Sequence, residues 1–225
     1  VAETVNELLA DRQPAGRRPS AGNEQGDLDL AVEIPLAVEQ SLEGVERVAR
    51  IVEAMKSLGH ADGATPSPID LNETLRTTAV MARGEYKEVA DFAFEPADLP
   101  PVRCFRSELS QAFLNLIVNA AHAVADRQAA TGQRGRISVR TWLQDGHACV
   151  SITDTGTGIP AEIAEHVFEP FFTTKPVGRG TGQGLSTVYA IVVHRHGGTI
   201  DFGPAPDGGT VFTVRIPLIP PRIPT

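Results

Sequence analysis

A chain of 225 residues is long enough for one core with an appendage, and 41% hydrophobic with 21% charged residues is the balance of a folded globular protein, not a disordered one. The net charge of −8 argues against a nucleic-acid binder held by a basic face, and no apolar run reaches the ~18 residues needed to cross a bilayer. Cys104 and Cys149 are too few for a disulfide framework or a zinc site and read as reduced core thiols, so a cytoplasmic segment without membrane contact is expected.

Residues 1–27 are rich in Pro, Gly, Arg, Gln and Asn, bury little, and read as a flexible N-terminal segment. Val38, Leu42, Val45, Ala49 and Val52 then recur in steps of four and three, the stripe of an α-helix over about 28–60, with Gly59 as its stop. A stripe widened by Leu36, Val48, Ile51, Met55 and Leu58 asks for cover from a sister helix, a second chain or its own domain. A polar linker with two prolines, Ala61–Pro68, leads into alternating element types. The pattern predicts a strand at Ile69–Leu71, a helix over Asn72–Gly84 and a strand at Val89–Glu95. After a loop at Pro96–Pro101 comes a long helix from about Ser107 to Asp126. Strands at Ile137–Leu143 and Ala148–Thr153 are joined across Asp145-Gly146, a hairpin signal. A short helix follows Pro160, a second helix runs from about Gly184 to His196, and Ile200–Phe202 with Val211–Ile216 closes as a hairpin. This order implies an α+β two-layer sandwich, a sheet with helices mainly on one face, over 66–219, with a tail at 220–225.

Six of the 21 glycines fall between Gly156 and Gly184, in Asp154-Thr155-Gly156-Thr157-Gly158-Ile159-Pro160 and in Gly178-Arg179-Gly180-Thr181-Gly182-Gln183-Gly184-Leu185-Ser186. Such glycines let backbone N–H groups approach an anion, and the second cluster runs straight into an apolar helix. No Gly-Lys-Ser/Thr follows, so it is not a P-loop, and the spacing is not that of a dinucleotide fingerprint. The long helix carries Asn115-Leu116-Ile117-Val118-Asn119, two amides at i and i+4 on one face. They are either satisfied structural amides or carbonyl oxygens offered to a hard cation such as Mg²⁺.

Together these segments resemble the catalytic ATP-binding domain of sensor histidine kinases, in the superfamily of gyrase B, Hsp90 and mismatch-repair ATPases. Asn115–Asn119 resembles the N box and Asp154–Gly158 the first glycine box. Phe168-Glu169-Pro170-Phe171-Phe172-Thr173-Thr174-Lys175 resembles the F box, Gly180–Gly184 the second glycine box, and a Gly208-Gly209-Thr210-Val211-Phe212 strand closes the domain. The resemblance implies a Bergerat-type fold binding ATP and Mg²⁺. Asp154 would accept a hydrogen bond from the adenine amine, Gly156, Gly158 and Ile159 would lie beneath the base, and Thr210 would bond the purine edge, directly or through water. Asn119 would ligate Mg²⁺ with Asn115 beside it. His122 stands where many kinases place a basic phosphate contact, and Lys175 and Arg179 would neutralise phosphate charge, although surface roles remain open for all three. Phe168, Thr174, Gly180, Thr181, Gly182, Gln183, Gly184 and Leu185 belong to an ATP lid over Phe168–Gln183 and its hinge. Phe171 and Phe172 are either hinge anchors or ordinary core.

In the superfamily members that hydrolyse ATP, the position held here by Asn115 is a Glu general base. An amide cannot take up a proton at neutral pH, so transfer of the γ-phosphoryl group to a nucleophile is expected in place of fast hydrolysis. The family's acceptor box reads His-Glu-x-x-x-Pro, yet no histidine precedes His60, and Val32-Glu33-Ile34-Pro35-Leu36 lacks one. The segment 28–60 instead resembles the second helix of the dimerisation hairpin. A C-terminal piece of a larger kinase, or a chain that lost its first helix, is therefore expected. The implied partners are a response-regulator receiver domain and, through the helical domain, a second copy of the full-length protein.

Overall fold

Alternation of buried and open residues along Thr210–Pro217, and through Arg136–Trp142 within Gly135–Gln144, makes these segments strands with one face for a core. The computed structural model describes residues 65–175 and 181–219. The segments expected at 1–27, 28–60 and 220–225, together with Arg179 and Gly180, lie outside the described residues.

In chain order the elements are β1 (Ser67–Ile69), α1 (Leu71–Met81), α2 (Arg83–Tyr86), β2 (Ala90–Glu95), β3 (Val102–Cys104), α3 (Arg106–Thr131), β4 (Gly135–Gln144) and β5 (His147–Asp154). A 3₁₀ turn (Ala161–His166), α4 (Gly184–Tyr189) running into a π-helical turn (Ala190–Arg195), β6 (Thr199–Pro204) and β7 (Thr210–Pro217) follow. Five strands form one mixed sheet in the order β2-β4-β5-β7-β6, with β2 and β4 parallel and the other pairs antiparallel. Ile137 and Val139 of β4, Val150 and Ile152 of β5 and Val214 and Ile216 of β7 turn to one face. There they join Leu109, Phe113, Leu116, Ile117 and Val124 of α3 and Leu71 and Leu75 of α1 in a single core. The expected α+β sandwich, with its helices on one face, is the observed fold.

Several boundaries differ from the expectation for local reasons. The chain turns helical at Leu71 because the Asp70 carboxylate accepts from the Glu73 N–H at 3.0 Å, so β1 ends at Ile69 and not at Leu71. β1 pairs antiparallel with β3, a three-residue strand that is too short for periodicity to reveal. α1 stops at Met81 and a separate turn, α2, carries Tyr86 back so that its hydroxyl donates to the Ala79 carbonyl. α3 runs five residues beyond Asp126 and ends where Gly132 adopts φ +71°. The Asp145-Gly146 hairpin has positive φ at both residues, as a type I′ turn requires.

One buried histidine ties the start of α3 to the end of the π-helical turn. The Phe105 N–H, an otherwise orphaned donor before the first turn, donates to Nε2 of His196 at 3.1 Å, while His196 Nδ1 donates to the Ile191 carbonyl at 2.8 Å. Only the neutral ring with its proton on Nδ1 makes both bonds. Burial, helped by the adjacent Arg195 guanidinium, lowers the His196 pKa below the usual histidine value, against the Ile191 hydrogen bond and the Glu108 carboxylate, which act in the other direction. The unfolded chain therefore binds a proton that the folded chain refuses. This contribution to stability is present above about pH 6.5 and is lost as the pH falls below it. In thermal melts between pH 7.5 and 5, the wild type should lose stability with acid more steeply than His196→Gln, which should start lower and respond less.

Candidate functional site

The candidate site grows from the ends of β5 and β7 and from one face of α3. β5 terminates at Asp154, whose side chain is 3% exposed. Its Oδ1 accepts from the Gly156 N–H at 2.7 Å and the Thr210 N–H at 3.2 Å. Oδ2 accepts nothing among the described residues, and because no buried side-chain oxygen there lacks a partner, Oδ2 opens to solvent. Burial raises the Asp154 pKa above the ordinary carboxylate value, while the two amide donors pull it back down. A carboxylate held at such cost, with one oxygen occupied and one free, is a prepared acceptor.

The loops around it depend on missing side chains at two positions. A Cβ on Gly156 would stand 2.6 Å from the Ala123 backbone, so the loop lies directly on α3, where the Thr157 N–H reaches the Ala123 carbonyl at 3.3 Å. Gly209, at φ +89°, leaves no room for a Cβ beside the Asp154 carbonyl, 2.3 Å away, and delivers the Thr210 N–H to Oδ1. Gly158 also turns through positive φ, and Ile159 packs partly into the core. Thr210 meets the same carboxylate through its backbone N–H, and its hydroxyl makes no hydrogen bond among the described residues.

On α3, Asn115 and Asn119 lie side by side against the start of α4. Asn115 is spoken for: its Nδ2 donates to the Gly184 carbonyl at 3.3 Å and its Oδ1 accepts from Gln111 Nε2 at 3.1 Å. The Asn119 amide sits in van der Waals range of Gly184, 3.5 Å from where a Cβ would stand, and makes no hydrogen bond among the described residues. One turn on, Nδ1 of His122 accepts from Lys175 Nζ at 2.8 Å, which directs the ring's Nε2 toward the Glu85 carboxylate of α2 at 3.8 Å. Burial lowers the Lys175 pKa, with Asp126 opposing the shift. Two cation-capable groups thus meet within reach of the Asn119 face.

The remaining expected residues divide. Phe168 is core, packed against Tyr189 and Phe202 at ring-centre distances of 5.4 and 5.8 Å. Phe171 is 68% exposed at φ +67°, and its N–H donates to the Gly182 carbonyl at 2.9 Å. Gly182 passes so close that a Cβ there would lie 2.3 Å from the Phe171 carbonyl carbon. The two ends of the 171–182 stretch are therefore joined at its base. Phe172 rests near His166, Thr174 points outward, the Thr181 hydroxyl accepts from the Gln183 N–H, and Leu185 packs on the core. Sequence reasoning did not find Glu85 or Arg127. Arg127 continues the four-residue series Asn115, Asn119, Ala123, Arg127 along α3, a spacing visible in the sequence once the helix is known to reach Thr131.

A helix face bearing amides, a glycine-bounded buried aspartate and a basic pair define a nucleotide-binding domain of the two-layer type. Residues 105–220 match the family described as histidine kinase-, DNA gyrase B-, and HSP90-like ATPase. The sensor kinase CckA of Brucella abortus is 32% identical over 186 residues, covering 79% of this chain and 20% of CckA. The catalytic domain of the histidine kinase ThkA, solved nucleotide-free, aligns at 33% identity with a TM-score of 0.59, covering 68% of this chain and 95% of that domain. ThkA has also been solved in complex with the response regulator protein TrrA, at 26% identity and a TM-score of 0.59, covering 97% of this chain and 58% of that one. The chain belongs to this ATPase family, and within it carries the catalytic ATP-binding domain of a sensor histidine kinase. It spans between 20% and 36% of the length of the first curated relatives it matches.

Replacing the strained charge at the centre should relieve the fold. Asp154→Asn keeps an Oδ1 for the Gly156 and Thr210 donors and removes a desolvated negative charge, so its melting temperature at pH 7.5 should equal or exceed that of the wild type.

Proposed function

We propose that the chain binds ATP with Mg²⁺ and transfers the γ-phosphoryl group to a histidine outside it, for relay to a response-regulator aspartate. The observation that carries this reading is the Asp154 carboxylate, with Oδ1 occupied by two amides and Oδ2 open. An ionised oxygen in that position accepts from the exocyclic amine of adenine and repels the carbonyl that guanine carries there. Thr210, on the adjoining strand, offers its hydroxyl to the same purine edge.

Midway along α3, the Asn119 oxygen is a hard donor that accepts no hydrogen bond among the described residues, which suits Mg²⁺, a cation that takes most of its ligands from phosphates and water. When bound, that ion would screen phosphate charge and orient the β and γ groups. Lys175 and His122 stand where they can turn from each other to the triphosphate, and the lowered Lys175 pKa marks a cation that gains from an anionic partner. Gly184 places the first turn of α4 beside both asparagines, its backbone facing the same space.

Asn115 supports phosphoryl transfer over hydrolysis. Its amide is engaged at both ends and has no basic lone pair to activate water. The chemistry asked of the domain is then positioning and charge neutralisation, with the nucleophilic imidazole delivered by a dimerisation hairpin to which residues 28–60 contribute the second helix. The ThkA complex with TrrA supports a receiver domain as the downstream partner, and the assembly would be a homodimer acting at the cytoplasmic side.

Calorimetry with ATP and Mg²⁺ tests the site. Asp154→Asn turns a donor toward the adenine amine and should weaken binding by about a hundredfold or more. Asn119→Ala should bind ATP with an affinity that no longer responds to magnesium; a variant as magnesium-dependent as the wild type would place the ligand elsewhere. The chain alone should release no inorganic phosphate from ATP beyond background, and sustained turnover would favour an ATPase of the same family over a kinase.

A further inference from the structure

We propose that Arg127 is a positioning residue for adenine recognition, a role that rests on the nucleotide reading of Asp154. Its guanidinium, half-buried on α3, donates from Nη1 to the Thr155 carbonyl at 2.9 Å and, more weakly, to the Asp207 carbonyl at 3.5 Å. These two carbonyls belong to different loops. Thr155 directly follows Asp154, and Asp207 stands three residues before Thr210. One cation therefore ties together the two chain segments that supply the Gly156 and Thr210 donors to Oδ1 of Asp154.

Two features show that the contact is built for geometry and not for charge. No carboxylate pairs with Arg127 among the described residues, so its hydrogen bonds go to backbone oxygens alone. Gly208, at φ +83°, clears its path, since a Cβ there would stand 2.9 Å from Nη1. The same turn of α3 also receives the Thr157 N–H at the Ala123 carbonyl, four residues before Arg127. The loop after Asp154 is thus pinned to the helix on both sides of Gly156, by a backbone acceptor at 123 and a side-chain donor at 127.

The consequence for binding is specific. While both loops are tied, the two amides hold Oδ1 and the carboxylate cannot swing, so Oδ2 presents one lone-pair direction to the base. Without the tie the donors separate and Asp154 can rotate or take up water. Contacts to the triphosphate, made near Lys175 and Asn119, the latter about two helical turns before Arg127, do not pass through this loop. Loss of Arg127 should therefore erase affinity contributed by the adenine amine and spare affinity contributed by phosphate.

The test compares ATP with the purine riboside triphosphate that lacks the 6-amino group, both with Mg²⁺, on the whole chain by calorimetry. The ratio of the two affinities reports the amine contact alone. Arg127→Met should shrink that ratio by about tenfold, mainly by weakening ATP, and Arg127→Lys, with one ammonium in place of a planar fork, should restore part of it. A general loss of folding would weaken both nucleotides alike and leave the ratio unchanged, and that outcome overturns the proposal. If Arg127→Met does not fold, the ratio measured on Arg127→Lys decides in the same way. Asp154→Asn separates the two levels of the reading. If that variant keeps wild-type ATP affinity, adenine recognition by Asp154 falls and this proposal with it. If it loses ATP while the Arg127 variants keep the wild-type ratio, only the role of Arg127 falls.

Discussion

The site depends on one buried carboxylate and on what it takes to keep it there. Taking an ionised group out of water costs several kcal/mol unless hydrogen bonds replace the lost solvent. Asp154 receives two such bonds on one oxygen, both from backbone amides that only glycine-bearing loops can bring so close. The raised pKa shows that this compensation is incomplete. The residual cost is what makes the second oxygen a good acceptor for a ligand. Such a cost in stability is a common feature of functional sites.

α3 is the ruler against which the rest of the site is measured. At ~1.5 Å per residue, the twelve-residue span from Asn115 to Arg127 covers about 18 Å of axis. Its buried side, from Leu109 through Phe113, Leu116, Ile117 and Val124, is locked into the sheet. That packing leaves the flanking amides and the arginine no freedom to drift relative to β5 and β7. The amides at 115 and 119, and the backbone carbonyl at 123 with the guanidinium at 127, are therefore held at fixed separation by core packing. Close helix–loop approach at Gly156 and close strand–loop approach at Gly209 complete the cleft without adding bulk to it.

Much of this was legible because it rests on local chemistry. The hairpin at Asp145-Gly146 needs positive φ at both residues, and those residue types supply it. Asn115 and Asn119 stand on one helix face through helical periodicity alone, and the glycine clusters announce tight backbone approach wherever they fall. Less legible were features whose cause lies far away in the chain. β1 exists because β3 pairs with it. The second histidine of His194-Arg195-His196 is buried because the first residues of α3 need an acceptor for the Phe105 N–H. Of the three F-box phenylalanines, one is core and one is 68% exposed, a division that no hydrophobicity pattern separates.

The amino-acid sequence by itself determined the class of fold, the family and the segments that form the candidate site, because motif spacing and glycine placement constrain the backbone within a few residues of themselves. Only the tertiary structure decided which oxygen of Asp154 is occupied, that Lys175 rests on His122 with Glu85 behind it, and that Arg127 joins the loops before Thr210 and after Asp154. Apart from the Gly156 N–H on Asp154, these contacts each span from roughly thirty to eighty residues of chain. Such pairs are selected by the packing of the whole core, and no local pattern can specify which of many polar side chains will meet.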